Sequence, residues 1–209
     1  MIDDESNAAE PDFDDPAVQA DATTDPGLGG LAEAWLSSAG RSKPDWRNPL
    51  VRRRMLPPGG TSAYVTLRDG WPVRTLCWPR RAGGPGTILL LTGRGDFAEK
   101  YTETLHDLTE AGWGVAMFDW RGQGLSRRLG KTPHHGASPG FGVWLDDLGE
   151  MVEWAASDGP VHVIGHSMGG HLLLRHLAAG GRNVARAVVL APMVGLAARP
   201  LGAWLTRLL

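Results

Sequence analysis

Val161-His162-Val163-Ile164-Gly165-His166-Ser167-Met168-Gly169-Gly170 runs from a β-rich apolar segment, through a serine flanked by glycines, into the leucine-rich stretch Met168–Ala179. Val161–Ile164 predicts a strand and Met168–Ala179 a helix stopped by Gly180-Gly181. The join is the pattern G-x-S-x-G set between a strand and a helix, the context expected of a nucleophile elbow. The spacing has a steric reason. A serine on so sharp a turn takes strained backbone angles, and its neighbours two residues away on either side must lack bulk for strand and helix to approach. The turn would expose the Ser167 hydroxyl at the carboxyl end of a sheet, over the positive end of the following helix. The Met168 amide would then face a developing oxyanion.

Working outward, the segments alternate. Ala63–Leu67 and Pro72–Trp78 are β-rich runs split by Arg68-Asp69-Gly70, a hairpin signal. Thr87–Leu91 and Trp113–Phe118 are short apolar runs suited to strands buried on both faces. Between them, Tyr101, Leu105, Leu108 and Ala111 mark one face of a helix over Glu99–Ala111, with Gly112 placed to stop it. Trp144, Leu148, Met151, Val152 and Ala155 mark a second helix, with Asp146 and Asp147 early enough in it to suit its dipole. Arg186–Leu190 is a further strand. A hairpin followed by this alternation predicts an α/β fold: a mainly parallel sheet with helices on both faces.

Two loops belong with the elbow. Thr92-Gly93-Arg94-Gly95 ends the strand Thr87–Leu91, where a second oxyanion donor should stand; the backbone amide of Arg94 is the candidate. Asp119-Trp120-Arg121-Gly122-Gln123-Gly124-Leu125-Ser126 follows the next strand and reads as a tight structural loop, with Asp119 bonding locally rather than in catalysis.

At these residues the chain resembles the α/β-hydrolase superfamily, in its lysophospholipase and monoacylglycerol lipase-like (serine aminopeptidase-type) branch. The Gly165–Gly170 hexapeptide, the Asp119–Ser126 loop, the Gly93–Tyr101 segment and Ala191-Pro192-Met193 carry the likeness across residues 60–209. Thr92 departs from it, standing where the family usually has His or Pro. The resemblance implies hydrolysis of carboxylic esters of glycerolipid-like substrates through an acyl-enzyme on Ser167. It also implies that Ala191-Pro192 leads into a lid. No metal-ligand spacing, phosphate loop or dinucleotide fingerprint appears, so no cofactor or metal is expected.

In this fold the acid and the histidine follow the serine. The 42 residues after Ser167 contain no Asp or Glu. His171 and His176 lie on the helix leaving the elbow and point away from the base position. His166 belongs to the elbow, with its side chain directed elsewhere than Ser167. His106 reads as a helix-surface residue, His134 and His135 as loop, and His162 as a strand residue. The expectation is therefore an α/β-hydrolase core incomplete at the C-terminus, with residues 61–192 its N-terminal part and 193–209 the start of a lid. The triad Asp and His would lie beyond residue 209. The alternative reading is a catalytically inactive fragment or ligand-binding remnant. A third reading makes Met193–Leu209 an amphipathic membrane-surface anchor, against which Pro200 and Gly202 weigh.

The rest of the composition narrows the classes. Of 209 residues, 42% are hydrophobic and 21% charged, ordinary for a globular domain. The net charge of −2 gives no general case for nucleic acid, and the single Cys77 cannot form an internal disulfide. Residues 1–40 hold ten carboxylates and no Lys or Arg, which predicts a largely disordered acidic tail. A short helix is expected around Leu31–Leu36. A basic linker follows through Arg41, Lys43, Arg47, Arg52, Arg53 and Arg54 to Gly60. The acidic N-terminus lacks signal-peptide character, so the expected compartment is the cytoplasm, with a peripheral position at the membrane as the alternative.

Overall fold

A computed structural model describes residues 53–130 and 139–195. The acidic tail, most of the basic stretch, His134, His135 and the segment from residue 196 onward, and with them the expected short helix, lid start and membrane anchor, lie outside the described residues. Strands β1 (Thr61–Thr66) and β2 (Pro72–Trp78) form the expected antiparallel hairpin, turned at Gly70 with φ +81°. After β3 (Thr87–Leu91) come a 3-10 turn (Ala98–Tyr101) and helix α1 (Thr102–Glu110), then β4 (Gly114–Phe118). Helix α2 (Phe141–Ala155), β5 (Val161–His166), α3 (Met168–Ala178) and β6 (Val184–Leu190) follow.

The six strands lie in the order β1-β2-β4-β3-β5-β6. The pairs β3–β4, β3–β5 and β5–β6 are parallel, while β2 joins β4 antiparallel. Alternation along the central strands separates two cores. Leu89, Leu91, Ala116, Phe118, Val161 and Val163 pack with α2 and α3 on one face. Leu90, Val115 and Met117 pack with Leu105 of α1 on the other. Because both faces are covered, Thr87–Leu91 shows no polar alternation.

Three expectations need correction. The predicted helix over Glu99–Ala111 begins as a 3-10 turn over Ala98–Tyr101, although Tyr101 still packs with Leu108 against the core around Leu105. His106 is buried at 3% exposure, because the chain at Met55 lies across α1 and its carbonyl pairs with His106 Nε2 at 3.0 Å. Asp146 and Asp147 fall in the second turn of α2, since the helix starts at Phe141. Asp147 there is buried and forms a two-pronged pair with Arg121, at 3.0 and 2.7 Å.

Strand β6 stands at the edge of the sheet, with Val188 and Leu190 about half exposed.

Candidate active site

Ser167 has φ 52° and ψ −112° at the junction of β5 and α3. A non-glycine residue held there is strained, and the surroundings over-determine it. Its amide donates to the Leu190 carbonyl at 3.0 Å, and its carbonyl accepts from the amides of His171 and Met193, both at 3.0 Å. The flanking glycines are needed sterically. A Cβ on Gly165 would lie 2.8 Å from the Gly169 carbonyl oxygen, and one on Gly169 would lie 2.7 Å from the Thr92 carbonyl oxygen. These backbone atoms cannot give way without moving the elbow itself.

Met168 is the first residue of α3, and its side chain is fully buried. At a helix start the first amides have no intrahelical acceptor and meet the positive end of the dipole. The loop after β3 comes alongside: a Cβ on Gly93 would lie 3.3 Å from Ser167 Cβ. The Arg94 guanidinium lies over the Trp144 ring, 5.7 Å from its centroid. The serine, the helix start and the Thr92–Gly95 loop therefore meet at the carboxyl ends of β3 and β5.

Sequence reading missed a polar cluster beside them. The Tyr101 hydroxyl donates to Asp96 Oδ2 at 3.0 Å and stands 3.1 Å from His166 Nδ1. Lys100 Nζ donates to Asp96 Oδ1 at 2.8 Å. Burial raises the Asp96 carboxyl, but the hydrogen bonds from Lys100 and Tyr101 outweigh it and hold the group below its ordinary value. Burial, then the neighbouring Asp96 carboxylate, push the Tyr101 hydroxyl up to about 12. Tyr101 thus contributes stability that is present below its unfolded value of 10.0 and lost as pH rises through about 12. In an alkaline titration followed by phenolate absorbance, replacing Tyr101 by Phe should remove a component titrating near pH 12. A Tyr101-dependent absorbance change centred near pH 10 would contradict this. The available signal was the short spacing from Asp96 to Tyr101, which a helical-face reading of Tyr101 concealed.

Most of the described histidines engage groups other than Ser167. His166 turns to Tyr101, His162 packs edge-on against Trp113, and His171 against Phe141. His176 Nε2 has no partner among the described residues. None of these positions places a base on Ser167. Asp119 bonds only partly within its loop: its carboxylate accepts from the Leu125 amide at 2.9 Å, but also from the Ala98 amide at 3.1 Å, 21 residues away, and faces Arg74 at 3.4 Å, 45 residues away. Burial is what pushes its carboxyl up, against the pull of the Leu125 amide and Arg74. Among the described residues no group of three or more His, Cys, Asp or Glu could hold a metal ion, and no helix is long and apolar enough to cross a membrane.

Residues 85–209 match the family model described as serine aminopeptidase, S33. The chain belongs to that family. Its fold is that of the α/β hydrolases, and its relatives lie in the lysophospholipase and monoglyceride lipase-like branch. It is 35% identical to lysophospholipase L2 of Escherichia coli (strain K12) over 145 residues, covering 66% of this chain and 41% of that protein. It is 32% identical to a putative monoglyceride lipase of Schizosaccharomyces pombe over 110 residues, covering 51% of this chain and 29% of that protein. A solved soluble variant of monoglyceride lipase from Saccharomyces cerevisiae, in complex with a substrate analog, shares the fold with a TM-score of 0.52 at 24% identity. That match covers 70% of this chain and 48% of the yeast chain. The chain spans about two fifths or less of the length of these curated relatives.

Proposed function

We propose that this chain carries the nucleophile and oxyanion hole of a serine ester hydrolase acting on glycerolipid-like substrates. In this reading Ser167 Oγ attacks the ester carbonyl carbon as its proton passes to a base. The amides of Met168 and Arg94 hold the oxyanion of the tetrahedral intermediate. Collapse of the intermediate expels the alcohol, which takes up the proton, and water then releases the acid from the acyl-enzyme. The observation that carries the reading is the Ser167 backbone, held at φ 52° where a strand meets a helix start. Such strain is retained where it aims a reactive group.

A glycerolipid ester substrate is supported by the names of the relatives, which include lysophospholipase L2 and a putative monoglyceride lipase. Activation of Ser167 needs an acid and a histidine. With no carboxylate among the residues after Ser167 here, they would come from positions after 209, which the partial coverage of the relatives supports.

The test is labelling of the full-length protein with a fluorophosphonate, followed by peptide mapping. The expected adduct is on Ser167. A protein that hydrolyses esters yet is labelled elsewhere, or not at all, would overturn this assignment.

A further inference from the structure

The loop that follows β4 grips the oxyanion loop on both sides of its candidate donor. Trp120 Nε1 donates to the Thr92 carbonyl at 3.0 Å, and the Gly95 amide donates to Oε1 of Gln123. Only Gly93 and Arg94 lie between these two anchored residues. The loop making the grip is itself fixed. The Gln123 amide donates to the Trp120 carbonyl at 2.8 Å, and the Ser126 amide donates to the Gln123 carbonyl at 3.1 Å. Ser126 Oγ donates to the Asp119 carbonyl at 2.6 Å, and Arg128 donates to the carbonyls of Gly122 (2.8 Å) and Gly124 (2.7 Å).

Gln123 is 7% exposed, and its Nε2 has no partner among the described residues. A buried carboxamide with its amino group unpaired is costly. A methionine of similar length would fill the same space without that cost. What the glutamine adds is an acceptor for the Gly95 amide.

We propose that Gln123 is a positioning residue: its carboxamide oxygen, together with the Trp120 indole, sets the height of the Arg94 amide over the reacting carbonyl. The proposal rests on the reading of Arg94 as an oxyanion donor. Loss of one donor costs about a hundredfold to a thousandfold in kcat, and a misplacement of about 1 Å costs about a hundredfold. Loosening one of two anchors should therefore cost about tenfold to a hundredfold.

The experiment compares the full-length parent with Gln123→Met and, separately, Trp120→Phe. Rates for p-nitrophenyl butyrate are expressed per site labelled by fluorophosphonate, so that partial misfolding drops out. Both variants are expected to lose about tenfold to a hundredfold in kcat, with KM changed less than about twofold. Inhibition by phenylboronic acid, whose serine adduct is tetrahedral, should weaken by a similar factor. A merely structural role would lower the melting temperature and leave kcat and boronate affinity per labelled site at parental values. That result would overturn the role of Gln123. A parent that is neither labelled nor inhibited by the boronate would instead overturn the ester-hydrolase reading itself.

Discussion

Replacing Ser167 by alanine in the full-length protein is expected to lower kcat for an ester substrate by about a hundred-thousandfold to a millionfold. Removing a nucleophile that works with a base costs about that much, and the residue left over comes from the oxyanion donors and substrate binding. The fold should survive, since alanine keeps the backbone geometry. Serine and alanine share the penalty of a positive φ, whereas glycine does not. Ser167→Gly should therefore be as inactive as Ser167→Ala but more stable by about 1 kcal/mol, measured by urea denaturation. A Ser167→Ala protein retaining a tenth of parental kcat would show that the chemistry lies elsewhere.

Asp119→Ala is expected to cost about 3–5 kcal/mol of stability without any direct role in chemistry. Its carboxylate is fully buried and serves three groups: the Ala98 and Leu125 amides and the guanidinium of Arg74, itself 2% exposed. Alanine leaves two amides without their acceptor and removes one of the two carboxylates on Arg74, the other being Glu99 at 2.6 Å. Asp119→Asn keeps one oxygen acceptor and should lose roughly half as much. Chemical denaturation of the three proteins checks the order parent, Asn, Ala. An Ala variant as stable as the parent would show that Glu99 alone satisfies Arg74. The same loop tolerates no side chain at Gly124, where φ is +54° and a Cβ would lie 2.1 Å from Asp119 Cγ.

The elbow was legible because its constraints are local. Gly165, Ser167, Gly169 and Gly170 are close in sequence, and a Cβ on Gly165 would meet the backbone of Gly169 and Gly170, although one on Gly169 would meet Leu91 and Thr92 of the neighbouring strand and loop. The strands were legible through composition, since Leu89 and Leu90 face opposite cores and both must be apolar. The polar partners were harder to read. Asp147 looked like a dipole partner because sequence cannot show that Arg121, 26 residues earlier, arrives beside it. His106 looked exposed because its cover comes from Met55, 51 residues away. Tyr101 read as one more apolar-face residue, although its hydroxyl meets His166 across 65 positions.

By itself, then, the amino-acid sequence determined the fold class, the strand and helix order, the candidate nucleophile Ser167 and the glycines beside it. Each of these follows from periodicity or from steric limits within a few residues. The tertiary structure decided which strand lies beside which, the order β1-β2-β4-β3-β5-β6, and the pairing of buried charges. It also decided that the loop at Asp119–Ser126 holds the loop at Thr92–Gly95 from both ends. A buried donor must find an acceptor, but nothing in one dimension says which of the available carbonyls and carboxylates the sheet will bring within reach.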